Sequence, residues 1–93
     1  ELKNEDLWKD LEVRFRDVQS KFYRLLLQKH PDLTKNEVRL CSFVKLQLTT
    51  KEITALTKKS IGSVNVAKHR LKKKMDIPEN QTLYSYVNSE LFN

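Results

Sequence analysis

The 93-residue chain has room for one small domain and no second independent core. It is 39% hydrophobic and 32% charged, with four Phe, three Tyr and one Trp, too apolar for a purely disordered tail. One Gly and two Pro are too few turn residues for a sandwich or barrel, and one Cys with two His excludes a disulfide framework and a zinc module.

An all-α domain is therefore expected. No stretch approaches 18 consecutive apolar residues and no cleavable signal pattern opens the chain, which points to a soluble domain in a reducing, cytoplasmic compartment. The sole methionine is Met75, which reads the sequence as a terminal piece of something longer.

The net charge of +6 is unevenly placed. Residues 1–32 hold seven charges of each sign, residues 33–57 carry four bases against two acids, and residues 76–93 carry three acids and no base. Residues 58–75 hold seven bases and no acid, so the whole excess sits in one 18-residue stretch. Basic charge so confined is the footprint expected for a polyanionic partner, usually nucleic acid.

In chain order, Trp8, Leu11, Phe15, Val18, Phe22 and Leu25 recur at spacings of 3 and 4 over nearly three heptads. They predict a long amphipathic helix, capped near Asn4 and stopped by Pro31. Such a stripe serves either as a seam between chains or as a helix laid across its own domain. Aromatics are large for a two-stranded seam, so docking through Phe22 and Leu25 is expected, with the Trp8 end left to pair between chains.

Thr34-Lys35-Asn36-Glu37 reads as a capping box opening a helix over residues 34–46, with Val38, Leu40, Cys41 and Val44 facing inward. Thr49-Thr50-Lys51-Glu52 repeats the pattern for a short helix to Thr57, with Ile53 and Leu56 inward. Ser60 caps a helix to Met75 whose inward set is Val64, Ala67, Leu71 and Met75. A last helix over residues 81–91 places Leu83, Val87 and Leu91 on one stripe, with Tyr84 and Tyr86 beside it. Only Lys58-Lys59 separates the short helix from the basic one, and so tight a turn before a basic helix is a helix-turn-helix signature.

Leu33-Thr34-x-x-Glu37, Lys51-Glu52-Ile53, Ser60-x-x-Ser63-Val64 and Lys74-Met75, in this order and at these separations, resemble the LuxR-type helix-turn-helix family over residues 33–91. His30-Pro31-Asp32-Leu33-Thr34 after a long amphipathic helix is similar to the C-terminal output domains of membrane-anchored bacterial sensor-regulators. Thr54 stands where the family has Ala, Lys58 and Lys59 replace the usual Gly and apolar residue of the turn, and Ala67 replaces a His.

The resemblance implies a four-helix DNA-binding unit over residues 33–93 behind a dimerising or docking helix over residues 1–32. It implies double-stranded DNA as partner, a homodimer, contact with RNA polymerase, and an upstream sensor part of a parent chain anchored in the inner membrane. In that family the last helix commonly makes the dimer contact, here Tyr84, Val87 and Leu91, although the same residues also suit closure of the monomer core.

At 100° per residue, Ala67, Leu71 and Met75 lie within about 60° of Val64 and define the buried face of the basic helix. The outer face then offers Asn65, Val66 and His69 to base edges: Asn to adenine, His to guanine and Val methyls to a thymine methyl. Gly62 leaves room for close approach. Ser60 and Ser63, at the helix N-terminus, with Lys51, Lys58, Lys59, Lys68, Lys72 and Lys73 along the rim, form the expected phosphate set.

Two other readings compete. One is a sigma-factor region 4-like promoter reader. The other is a helical protein-interaction module that binds no DNA. An enzyme is not expected, because no paired carboxylates, metal set, nucleophile–base pair or phosphate loop can be assembled; nor are a cofactor, a metal or a small-molecule substrate.

Overall fold

The computed structural model describes residues 4–92. Within the first helix, side chains before residue 20 are described only at Asp6, Lys9, Asp10 and Val13. The described chain is helical: α1 (Asn4–Lys29), α2 (Lys35–Lys45), α3 (Thr50–Thr57), α4 (Ile61–Lys74), α5 (Leu83–Val87) and a closing 3₁₀ turn (Glu90–Phe92). Among the described residues, no helix is long and apolar enough to cross a membrane.

Local chemistry explains the helix starts. Glu37 N–H donates to the Thr34 hydroxyl at 3.2 Å while Thr34 N–H donates to the Glu37 carboxylate at 2.8 Å. Thr49 and Glu52 make the same reciprocal pair at 3.1 and 2.9 Å. Both predicted capping boxes form, and each satisfies two helix-end amides. Ser60 and Thr82 cap α4 and α5 by accepting from Ser63 and Ser85 N–H.

The helix ends are less usual. With one glycine in the chain, the left-handed positions fall on Gln47 (φ 66°), Lys58 (φ 59°) and Asp76 (φ 56°). After α2, Leu48 N–H reaches Phe43 C=O and Gln47 N–H reaches Val44 C=O, both at 3.0 Å. After α4, Ile77 and Asp76 make the equivalent bonds to Lys72 and Lys73. These are Schellman closures, whose left-handed residue is ordinarily glycine. The α3–α4 turn, where Lys58 replaces the resembled family's glycine, takes the left-handed conformation at Lys58, at roughly 1 kcal/mol of strain.

The core joins Val38, Leu40, Cys41, Phe43 and Val44 of α2, Ile53 of α3, Val64 and Leu71 of α4, Met75, Ile77, Leu83, Val87 and Phe92. Phe22 and Leu26 of α1 complete it, at 1% and 0% exposure. Thus α1 docks on the domain through its C-terminal third. It packs against α3 and the closing turn, while α2 packs on α5 and α3 on α4. At 1.5 Å per residue α1 is about 39 Å long, and the molecule's longest dimension is 39 Å.

Phe22 meets Phe92 edge-on at 5.2 Å, Phe92 meets Tyr86 at 5.3 Å, and the Tyr86 hydroxyl hydrogen-bonds His30 Nε2 at 2.8 Å. The Lys45 ammonium lies 5.0 Å from the Phe22 ring centre and donates to Val87 C=O at 3.1 Å, so one cation ties α1, α2 and α5 together.

The structure refines three expectations. The α1 stripe docks through Phe22 and Leu25 as expected, Leu25 half-buried against the core, and Leu26, off the stripe, adds a fully buried contact beside them. Trp8, Leu11, Phe15 and Val18 lie outside the residues whose side chains are described.

The last helix, expected over 81–91, stops at Val87. The Ser89 N–H and hydroxyl both turn back to Tyr86 C=O, at 3.1 and 2.7 Å, occupying the carbonyl a continuing helix would offer to Glu90. Val87 is therefore a core residue at 0% exposure, and Leu91 lies beyond the helix. Of the expected dimer contacts Tyr84, Val87 and Leu91, Val87 takes the alternative role of core closure, and Tyr84 and Leu91 are exposed.

Candidate nucleic-acid interface

The inward set of α4 behaves as its spacing requires. Val64, Leu71 and Met75 are buried and Ala67 is half-buried. The opposite face is accordingly turned to solvent: Gly62, Asn65, Val66, His69 and Lys73 are all exposed, Val66 at 49%. The three expected base-reading residues, Asn65, Val66 and His69, therefore share one open face. A half-exposed valine amid polar side chains gives that face the apolar spot a thymine methyl requires.

The N-terminus of α4 is equally open. Ser60 Oγ accepts from Ser63 N–H at 3.1 Å and donates to Ser63 Oγ at 3.0 Å. The amides of Ile61 and Gly62 precede the first intrahelical bond, Val64 N–H to Ser60 C=O at 3.0 Å. Where α2 and α3 carry a glutamate in the first turn, α4 carries no acid there. Unneutralised amides at the positive end of a helix dipole suit an incoming phosphate. A Cβ built on Gly62 meets only Ser60 Oγ, at 3.9 Å, so the fold itself does not require glycine there.

The six rim lysines divide into two groups. Lys51, Lys58, Lys59 and Lys73 are exposed. Lys68 is half-buried and donates to Thr50 Oγ1 at 2.9 Å, bracing α4 against the start of α3. Burial also pulls the Lys68 pKa down. Lys72 reaches Glu79 C=O at 3.4 Å. Lys74, absent from the expected phosphate set, pairs with Glu37 at 2.8 Å. Burial acts to raise the Glu37 pKa, but the Lys74 ion pair and the Thr34 bonds outweigh it and hold the carboxyl below its ordinary value.

Sequence reasoning missed Ile61, which is 56% exposed at the first turn of α4 beside Gly62. The signal was present in the helical angle, since Ile61 falls about 60° off Val64, on the Asn65 shoulder. Cys41 is a core thiol, its pKa pushed up to about 12 by burial, and is no nucleophile at neutral pH. Among the described residues, no group of three or more His, Cys, Asp or Glu gathers where it could hold a metal.

A groove of about 470 Å³ opens between α2, α3 and α4, floored by Leu40, Phe43, Ile53 and Val64, with Lys59 and Arg70 on its rim. It borders the basic helix on the side away from Lys68. Comparisons with protein-family models, with curated proteins and with solved structures return no match for this chain.

Proposed function

We propose that this chain is the sequence-reading DNA-binding unit of a bacterial transcription regulator, of the LuxR-type helix-turn-helix class that it resembles. In this reading α4 enters the major groove and places Asn65, Val66 and His69 on base edges. The α4 N-terminus and the lysines of α3, the turn and α4 hold the flanking phosphates. The observation that carries the reading is a coincidence: the acid-free stretch with seven bases is the same stretch whose outer face is open and whose inner face is core. A solvated lysine-rich helix has no need of an exposed valine on its outer face.

Regulators of this class act on repeated half-sites, so the functional species is a homodimer on DNA. The upstream sensor part and contact with RNA polymerase belong to the same proposal. The test is selection from random duplexes followed by affinity measurement in 50 and 200 mM salt. Six phosphate-neutralising lysines give a slope of log K on log salt near −5, and about a thousandfold loss of affinity across that range. Asn65→Ala and His69→Ala lower preference for the selected site by about 1–3 kcal/mol, whereas Lys73→Ala weakens every sequence alike. If selection returns no motif, or the two kinds of variant behave alike, the assignment of reading and anchoring residues is wrong.

A further inference from the structure

A second concavity, of about 280 Å³, lies on the Lys68 shoulder of α4. Its floor is Val44, Leu48 and Leu83, and its polar lining is Gln47, Thr49, Lys68 and Tyr84. Three independent pieces of chain meet here: the Schellman closure of α2, the start of α3 and the exposed edge of α5. Gln47 is exposed, and its left-handed backbone, fixed by the α2 closure, sets where its side chain leaves the chain. Tyr84 is 48% exposed at the other lip although its neighbours Leu83 and Val87 are buried.

The chemistry of this cleft is that of an anion seat. The described lining contains a cation and hydrogen-bond donors and no carboxylate. The Lys68 ammonium is half-buried and donates to a neutral hydroxyl, Thr50 Oγ1. A partly desolvated cation whose near partner is neutral gains more from an arriving anion than a fully hydrated lysine does. By helical angle Lys68 shares its shoulder with Asn65 and Lys72, so the cleft adjoins the face assigned to base edges.

We propose that this cleft seats one backbone phosphate of the DNA strand flanking the major groove. Lys68 supplies the charge, and the Tyr84 hydroxyl and Gln47 carboxamide supply neutral donors. The inference rests on the DNA-binding reading and adds two residues to it, Gln47 and Tyr84. It also moves Tyr84 from the expected dimer contact to the DNA side. Because the donors approach from α5 and from the α2 closure, the seat fixes the angle at which α4 enters the groove.

The test uses the full chain and a duplex carrying single methylphosphonates that neutralise the flanking phosphates one at a time. Tyr84→Phe and Gln47→Ala each weaken binding about fivefold to tenfold on every sequence without changing the salt slope, because neither removes a charge. Lys68→Gln lowers the slope by about one, and Lys68→Arg restores it. One methylphosphonate weakens wild type and adds no further loss to Lys68→Gln. If the wild type binds with the expected salt dependence but all three variants match it, the seat does not exist and the DNA reading survives. If Tyr84→Phe instead shifts the sedimentation coefficient and leaves DNA affinity unchanged, Tyr84 is a chain contact and the proposal is wrong. If the wild type shows no salt-dependent DNA binding, both readings fall together.

Discussion

Truncating Phe22 to alanine is the sharpest perturbation of the fold, because it asks whether α1 belongs to the domain. Phe22 is 1% exposed, stacks edge-on against Phe92 and lies beneath the Lys45 ammonium. Removing a fully buried phenylalanine ring costs about 3–5 kcal/mol, and the edge-to-face pair and the cation contact place this site toward the upper part of that range. A 93-residue domain has about 5–14 kcal/mol in total, so Phe22→Ala removes roughly a third or more of it. At about 4–8 °C per kcal/mol, the thermal midpoint falls by roughly 15–40 °C.

The assay is urea and thermal unfolding followed by circular dichroism, with Val13→Ala as control. Val13 lies on the same helix but is 56% exposed, and its truncation stays within about 0.5 kcal/mol. Equal small effects from both variants would mean that α1 is not docked, and the account of the core would be wrong.

Gly62→Ala has opposite signs in two assays: the fold accepts the methyl and gains up to about 0.5 kcal/mol of helix stability, while DNA affinity falls as the backbone is held off. Unchanged affinity would remove Gly62 from the interface. Asp76→Gly relieves a left-handed aspartate and an unfavourable charge at the C-terminal end of α4, outweighing glycine's entropy cost by about 0.5–1 kcal/mol; a lower melting temperature would contradict this. Burial lowers the His30 pKa, aided by Lys29 and opposed by Asp32 and Asp76. The unfolded state therefore takes up the proton more readily, so His30's stability contribution is intact above its ordinary value of 6.5 and is lost as pH falls below it. His30→Gln should flatten that dependence in urea titrations at pH 7.5 and 5.5, and an identical slope in both proteins would rule His30 out as its source.

Much of the architecture was legible because its signals are local. Capping boxes act within four residues, and the inward spacing of Val64, Leu71 and Met75 is a property of one helix, so starts and faces could be read directly. Leu26 was not foreseen beside Leu25 because it lies off the heptad stripe, and a globular surface wraps a wider helix face than a parallel mate does. The last helix was overextended because Leu83, Val87 and Leu91 keep perfect spacing while Asn88 and Ser89 end the helix between them. The cleft at Lys68 was illegible for another reason: it joins residues 47, 68 and 84, which only the tertiary fold brings together. Phe92, next to last in the sequence, carries no pattern at all, yet it is the ring on which α1 rests.

The proposed DNA-binding reading stands on geometry, on the outer face of α4 being the surface offered to DNA. Titrating an isotope-labelled sample with a selected duplex, and mapping which backbone amides shift, tests it residue by residue. Binding through the outer face of α4 gives the largest shifts at Ile61, Gly62, Asn65, Val66, His69 and Lys73, with a second set near Thr50 and Lys68 and little change at Val13 or Glu90. Shifts centred on α1 with α4 silent, or none at concentrations where binding is measured, would contradict it.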